Sequence, residues 1–391
     1  MVKELAEEFE KVFGAGERPR VFFAPGRVNL IGEHTDYNGG HVFPCALSLG
    51  TYGAVRKRKD SQIRLYSLNF PDTGIVEGDV ESLEPGDDST WASYVKGVVW
   101  AFLEKGMVPG SGFDMAVSGD IPAGAGLSSS ASLEVMTGEM LRSIYGFDVS
   151  NVEIALLGQY AENRYCGLSC GIMDQFASAM GKRDNAVFLD TNTLEYEYVP
   201  LPMDGKKIIV TNTNKKHSLV DSAYNDRRRE CEEALGDIRR VKEIDALCQL
   251  TPEEYEKVCG NIEDPLARKR ALHAVTENQR TVDAVKVLKG GDLESFGRLM
   301  NESHVSLRDD YEVSCEELDV LAETAWKVPG VLGARMTGGG FGGCTVSLVD
   351  DDAVEQFRDT LGDVYRNRFG YDCSFYVVSA GEGPREIGGA E

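Results

Sequence analysis

No apolar run in the sequence approaches the length of a membrane span, so no segment is expected to cross a bilayer. The N-terminal stretch MVKELAEEFEKVF mixes apolar and charged residues at helical spacing. A secretory signal needs a continuous apolar stretch, so a cytoplasmic location is expected. Positive charge is scarce: 41 basic residues stand against 64 acidic ones, a net charge of −23. A basic face for a nucleic-acid backbone is therefore not expected, and nucleic acid is excluded as a partner. Any polyphosphate bound here must be neutralised locally, by a cation and a few placed donors. Nine cysteines form no CxxC pair, which suits reduced thiols. Cys166 and Cys170 are four apart with no second cluster nearby, so they are expected to be small core residues rather than zinc ligands.

Several phosphate-binding signatures are also missing. Gly181-Lys182 precedes Arg183 and Gly205-Lys206 precedes Lys207, so no Gly-Lys is followed by the Ser or Thr of a Walker A loop. There is no HRD or DFG set of a protein kinase. The stretch TGGGFGGC matches GxGxxG at Gly338, Gly340 and Gly343, but strand-like residues follow it where a dinucleotide fold needs a helix. Dinucleotide binding is rejected, and a glycine turn backing another loop is expected instead.

What is present is a chain of 391 residues with 42 % apolar content, enough for a large core and two subdomains. Apolar periodicity predicts a helix over 3–13, then strands near 21–23, 42–49, 51–59 and 62–68. Ala24-Pro25-Gly26 reads as a turn, the basic run 56–59 as a solvated hairpin end, and 71–90 as an acidic surface excursion. From about 221 to 326 the pattern is predominantly helical, and the glycine-rich end after Ala380 is expected to fray.

Chemistry concentrates in a few stretches. Gly119 to Leu133, GDIPAGAGLSSSASL, joins Gly124 and Gly126 to the serines Ser128, Ser129 and Ser130 and to an apolar helical run. Serines favour helix N-caps, and a helix start offers free N–H groups and partial positive charge. A glycine loop feeding such a start is a ready anion site, with phosphate the expected anion. Gly26 to Gly40, GRVNLIGEHTDYNGG, crowds Arg27, Glu33, His34, Asp36 and Tyr37 into one glycine-bounded segment. Its carboxylates suit vicinal hydroxyls, and the Arg27 fork suits a phosphoryl group. A third stretch, CGIMDQF, sets Asp174 in the first turn of a helix, where it either complements the helix dipole or serves as a base. Glu162 sits in the helical run 151–165, and Tyr224 is either a half-buried ring or part of a sugar pocket.

These motifs occur in an order that resembles the GHMP kinase superfamily and, within it, the galactokinase family. The resemblance runs from about residue 20 to 379 and rests on GRVNLIGEHTDYNGG, PAGAGLSSSAS, CGIMDQF and TGGGFGGC. Ala125 is a mild departure, standing where many relatives carry glycine. The resemblance implies an α+β fold of two lobes with the active site in the cleft between them, here divided as 1–180 and 181–391. It implies a magnesium-dependent transfer of the ATP γ-phosphoryl group to the C1 hydroxyl of D-galactose. Carried over by motif, Glu33, His34, Thr35, Asp36, Gly171, Asp174 and Tyr224 would contact the sugar. Gly124, Ala125, Gly126, Leu127, Ser128, Ser129 and Ser130 would wrap the phosphates, with Ser67 and Trp91 near the nucleoside. Ser130 and Glu162 would hold Mg2+. Asp174 would accept the hydroxyl proton, and Arg27 beside it would keep it ionised and stabilise charge on the phosphoryl group. A monomer is expected from the family. The alternatives are a sugar and ATP sensor without turnover, or a related kinase for N-acetylgalactosamine or another small alcohol; the intact run Ser128 to Ser132 and Asp174 favour the enzyme.

Overall fold

The computed structural model describes residues 1–86, 90–122, 125–215 and 220–388, without the side chains of 220–222. Two main sheets dominate it. The first has six strands in the order 385–387, 20–29, 44–57, 113–119, 62–67 and 76–79. Only the neighbours 62–67 and 113–119 run parallel. Helices 92–104, 129–145, 151–164 and 173–179 share an apolar core with this sheet. The N-terminal helix Val2–Phe13 covers another part of it, burying Leu5, Phe9 and Phe13 on Val21, Ala54 and Ala116. Their spacing puts the three side chains on one helical stripe.

The second sheet has four strands in the order 331–337, 344–350, 206–212 and 374–378. Its strand Lys206–Asn212 shows why the sheet is covered on both sides. Alternate side chains point to opposite faces of a strand. Ile208 and Val210 join Ala284, Leu288, Phe296 and Met300 from helices 265–289 and 293–309. Ile209 joins Leu321, Ala325 and Phe357 from helices 316–325 and 354–369. The first of these clusters also contains Val28, Leu30 and Phe43, so the two parts of the chain share one core. A three-stranded sheet, 41–42, 185–190 and 196–200, bridges them further. Among the described residues no helix is long and apolar enough to cross a membrane.

Five local expectations are corrected. Pro25-Gly26 does not end a strand; Arg20–Asn29 runs straight through it, with an irregularity in register between Pro25 and Arg27. The two strands expected over 42–59 are chiefly one long strand, Pro44–Lys57. The basic run is not simply solvated. Arg56, Arg58 and Arg64 converge on Asp114, whose side chain is 4 % exposed, at 3.5, 3.0 and 2.7 Å. The guanidinium groups of Arg64 and Arg58 offset the burial of that carboxylate and hold it below its ordinary pKa. The excursion 71–90 contributes an edge strand, Val76–Asp79, and the tail contributes another, Arg385–Ile387, paired with 21–23. That tail strand belongs to the sheet of the first lobe, so a cut at residue 180 does not separate the two sheets cleanly.

Candidate active site

Arg27 is the point where the distant stretches meet. It stands at the irregularity in register of its strand and is 4 % exposed. Its Nε donates to Asp174 Oδ1 at 2.8 Å, and its Nη1 donates to the carbonyl of Gly126 at 2.7 Å. Its backbone N–H also donates to the carbonyl of Leu127 at 3.2 Å. Asp174, in the first turn of helix Met173–Ala179, takes a second bond on Oδ2 from the Ser128 hydroxyl at 2.5 Å. Sugar-signature strand, serine loop and aspartate helix are thus locked together by one carboxylate and one guanidinium. Ser128 does this from a left-handed backbone, φ 58°, just before helix Ser129–Tyr145. It does not cap the helix with its side chain, as the serine run led one to expect; its hydroxyl goes to Asp174 instead.

Beside this cluster lies a cavity of about 170 Å³, lined by Arg27, Asp174, Glu33, His34, Asp36, Gly171 and Tyr224, with Gly338 and Gly339. It is well below the roughly 300–1,000 Å³ of pockets for drug-sized ligands, and several polar side chains reach it, as a small polyol requires. Burial and the nearby negative charge of Asp174 push the Asp36 carboxyl up to about 6, against hydrogen bonds from the N–H groups of Tyr37 and Met173. Burial pushes the His34 imidazole down to about 3, so the ring is neutral at physiological pH. His34 Nδ1 meets the Tyr37 hydroxyl at 2.8 Å, whereas its Nε2 is buried without a partner.

Glu33 is already well occupied. Arg335 lies 2.6 Å from Oε2, the Asn29 amide donates to the same oxygen at 2.6 Å, and the Gly338 N–H donates to Oε1 at 2.8 Å. It therefore anchors the glycine turn 338–343 as well as bordering the cavity. Thr35, expected at the sugar, is not in the wall. It is fully buried, and its hydroxyl hydrogen-bonds the carbonyls of Gly32 and His41 at 2.9 and 2.7 Å, shaping the loop.

Gly171 is in the wall for a steric reason. A Cβ at this position would lie 1.7 Å from Asp36 Oδ2. Gly171→Ala must therefore displace the Asp36 carboxylate. We expect the KM for the sugar to rise at least about tenfold while the melting temperature changes by only a few degrees; an unchanged KM would show that Asp36 does not bind it.

A second cavity, of about 310 Å³, runs from Ser67 and Trp91 to Ser129 and Ser130 at the helix start. Ser67 is buried, and Trp91 Nε1 is buried without a partner. Ala125 and Leu127 are buried backing, and Gly126 offers its carbonyl to Arg27. Gly124 lies outside the described residues. Ser130, in the wall of this second cavity, acts on Glu162 to lower its carboxyl, and Gln175 Nε2 bridges Glu162 and Glu134 at 2.6 and 2.9 Å. Burial raises both glutamates, aided by the negative charge of Asp174 on Glu162 and of Glu162 on Glu134. Glu134 Oε1 has no hydrogen-bond partner. Two buried carboxylates beside Asp174 fit a site completed by a cation.

The glycine turn backs the serine loop, as its strand–turn–strand pattern implied. Gly340 has φ 83°, and a Cβ there would lie 2.2 Å from the Val313 carbonyl. The sequence reading missed Arg335, Glu134, Gln175 and Glu277. Arg335 alone had a local signal, a lone charge inside the apolar strand Val331–Thr337. It is fully buried, with Nε 3.2 Å from the Ser303 hydroxyl. Ser303 in turn donates to Glu277, which accepts the Gly32 N–H at 3.0 Å. Arg280 and other cations pull Glu277 down to about 2 despite its burial.

Three family descriptions match the chain: the galactokinase galactose-binding signature over residues 7–57, the GHMP kinase N-terminal domain over 93–182 and the GHMP kinase C-terminal domain over 284–367. A galactokinase of Clostridium beijerinckii is 52 % identical over 387 residues, 99 % of each chain. One of Lactiplantibacillus plantarum is 50 % identical over 98 % of this chain and 99 % of its own. The crystal structure of Lactococcus lactis galactokinase complexed with galactose superposes with a TM-score of 0.97 at 46 % identity, covering 98 % of this chain and 99 % of that one. The two-lobed α+β fold expected from the motifs is thereby confirmed, and the chain belongs to the galactokinase family of GHMP kinases.

Proposed function

We propose that this protein is a galactokinase, transferring the γ-phosphoryl group of ATP to the C1 hydroxyl of D-galactose and releasing galactose 1-phosphate and ADP. The observation that carries it is the Arg27–Asp174–Ser128 cluster, set where a polyol-sized cavity meets a helix start. In this reading His34, Asp36, Gly171 and Tyr224 hold the sugar, with Glu33 fixing the wall behind it. Ser67 and Trp91 hold the nucleoside, and the turn from Gly124 to Ser130 holds the phosphates. Asp174 orients the attacking hydroxyl and takes its proton. Arg27 faces the phosphoryl group from the same side. Phosphoryl transfer asks mainly for position and charge neutralisation, which this arrangement provides. The two lobes, 1–180 and 181–391 with strand 385–387 counted in the first, close around the substrates. A monomer in the cytoplasm is the proposed state.

Magnesium is the proposed metal. Mg2+ in kinases takes one or two protein groups and completes its shell with phosphate oxygens and water. Ser130 and Glu162 fit that role, with Glu134 behind them. When bound, the ion would neutralise charge on the phosphates. Glu162→Gln is expected to raise the magnesium concentration for half-maximal rate about tenfold or more, with little change in the KM for galactose. Equal magnesium dependence in variant and wild type would remove Glu162 from the metal site.

The deciding assay is ADP release with ATP and magnesium, comparing galactose, N-acetylgalactosamine, arabinose, glucose and mevalonate. Turnover with galactose, giving galactose 1-phosphate, is the expected result. Galactose binding without turnover would identify a sensor, and a different preferred acceptor would identify another kinase of the superfamily.

A further inference from the structure

Behind the sugar cavity, five side chains form an unbroken hydrogen-bonded line. His34 Nδ1 lies 2.8 Å from the Tyr37 hydroxyl, and that hydroxyl lies 2.7 Å from the Tyr311 hydroxyl. The Tyr311 hydroxyl lies 3.2 Å from Cys231 Sγ, and the sulfur lies 3.7 Å from Asn38 Nδ2. His34, Asn38, Cys231 and Tyr311 are buried. Of the five, only His34 lines the sugar cavity; the Gly339 backbone also acts on its ring there, and Nε2 is left without a hydrogen bond.

Each middle member can donate or accept, so geometry alone leaves two directions open. The far end chooses between them. Asn38 Nδ2 also donates to the His34 carbonyl at 2.8 Å. A carbonyl only accepts, so this end of the amide is the NH2 group. The Cys231 sulfur therefore accepts an N–H, and its own S–H is left to donate to Tyr311. The Tyr311 O–H then points to Tyr37, and the Tyr37 O–H to His34 Nδ1. Head to tail, every group is satisfied once. In the opposite direction the sulfur would receive two donors, and its buried S–H would find no acceptor along the line. Nδ1 of neutral His34 thus accepts, and the ring proton sits on Nε2, facing the cavity.

We infer that Asn38, Cys231, Tyr311 and Tyr37 form an oriented relay that holds His34 in its Nε2–H tautomer, so that the cavity wall presents a fixed hydrogen-bond donor to one sugar oxygen. Burial keeps the ring neutral, as its depressed pKa indicates. Elsewhere in the wall Arg27 turns its guanidinium to Asp174 and the Gly126 carbonyl, so that Tyr224 and His34 face the sugar beside carboxylates. Asp36 and Asp174 are carboxylates and take hydroxyl protons. A sugar hydroxyl has one proton to give and two lone pairs to fill, so a wall of carboxylates alone would leave its oxygens unmatched. Tyr37, Tyr311 and Cys231 act through His34 and are positioning residues. The relay itself rests on side-chain geometry; only the identity of the ligand rests on the galactose reading.

Two measurements test it. The first needs no sugar: nitrogen NMR of protein labelled with 15N-histidine, with the His34 signals assigned by their loss in His34→Gln. A proton on Nε2 and a bare, accepting Nδ1 are expected. Tyr311→Phe cuts the line and should let both tautomers populate. Cys231→Ala should do the same, and Cys231→Ser should restore the wild-type ring, because a hydroxyl donates and accepts in the same place. The serine and alanine variants carry the test if Tyr311→Phe does not fold.

The second measurement uses deoxy- and fluoro-galactoses at each hydroxyl position other than C1. At one position the deoxy sugar should lose about tenfold in KM, while the fluoro sugar, which still accepts, loses less than about threefold. Tyr311→Phe should raise the KM for galactose about tenfold, keep kcat within about twofold, and abolish the advantage of fluorine over hydrogen. A wild-type ring protonated on Nδ1 would overturn the relay. So would a folded Tyr311→Phe that keeps both the tautomer and the KM. A wild-type protein without galactose turnover would overturn the proposed function, and the ring tautomer would still decide the relay.

Discussion

Asp174→Asn is expected to lower galactose turnover by about 10³-fold, within the roughly 10²–10⁴ that a positioned base contributes. The side chain is nearly isosteric, so its place at the start of helix Met173–Ala179 is kept. The amide still has one oxygen, which can serve either Arg27 or Ser128 but not both as the carboxylate does. The cost to stability is about 1–3 kcal/mol, the range for leaving a polar group short of a partner. Two features keep it there. Arg27 retains the Gly126 carbonyl at 2.7 Å, and the Asp174 side chain is 32 % exposed, so water reaches the pair. A loss of that size is small beside a typical total stability of about 5–15 kcal/mol. The variant should therefore fold, bind ATP and fail in the chemical step. Single-turnover phosphoryl transfer alongside calorimetric galactose binding checks this. Near-normal turnover in folded Asp174→Asn would remove the base from the mechanism.

Arg335→Leu is expected to have the largest effect on stability, about 3–5 kcal/mol, as when one partner of a buried ion pair is removed. Arg335 and Glu33 are both essentially fully buried and lie 2.6 Å apart. Leucine fills much of the volume but leaves the Glu33 carboxylate with neutral donors only, from Asn29, Thr337 and Gly338. Burial already raises the Glu33 carboxyl above its ordinary range, and Arg335 is the main force pulling it back. Without Arg335 the group rises further. A raised native-state pKa favours folding at pH below the unfolded value, and that advantage is lost as pH climbs through the native one. The gap between wild type and variant should therefore be wider at pH 8 than at pH 5 in denaturant titrations. Combining Arg335→Leu with Glu33→Gln should recover part of the loss, since no charge is then left unpaired. A single variant that melts with the wild type would contradict this account.

The elements of the fold were legible where the information is local. Leu5, Phe9 and Phe13 announce their helix by their spacing alone. The active-site stretches were legible because each packs unusual residue types into a few positions. What stayed hidden depends on partners far along the chain. Arg56 and Arg58 look solvated until Asp114 is placed under them by strand Phe113–Gly119. Arg335 reads as one charge in a strand until Glu33 arrives from 302 residues earlier in the chain. Glu134 and Gln175 look like ordinary helix residues until helices 129–145 and 173–179 are laid side by side. Thr35 was misassigned for the converse reason: its neighbours His34 and Asp36 face the cavity, and it turns the other way to tie the loop.

The strand Arg385–Ile387 also sets an order in time. It pairs with Val21, Phe22 and Phe23, and the side chains of Arg20 and Glu386, 366 positions apart, grip each other across that pairing. Every other strand of the first sheet is made before it. At roughly 5–20 residues per second, a ribosome leaves strand Arg20–Asn29 with one bare edge for tens of seconds. An open edge with unpaired N–H and C=O groups is a template for a neighbouring chain. The nascent protein is thus open to misassociation on strand Arg20–Asn29 until residues 385–387 are made and seal that edge.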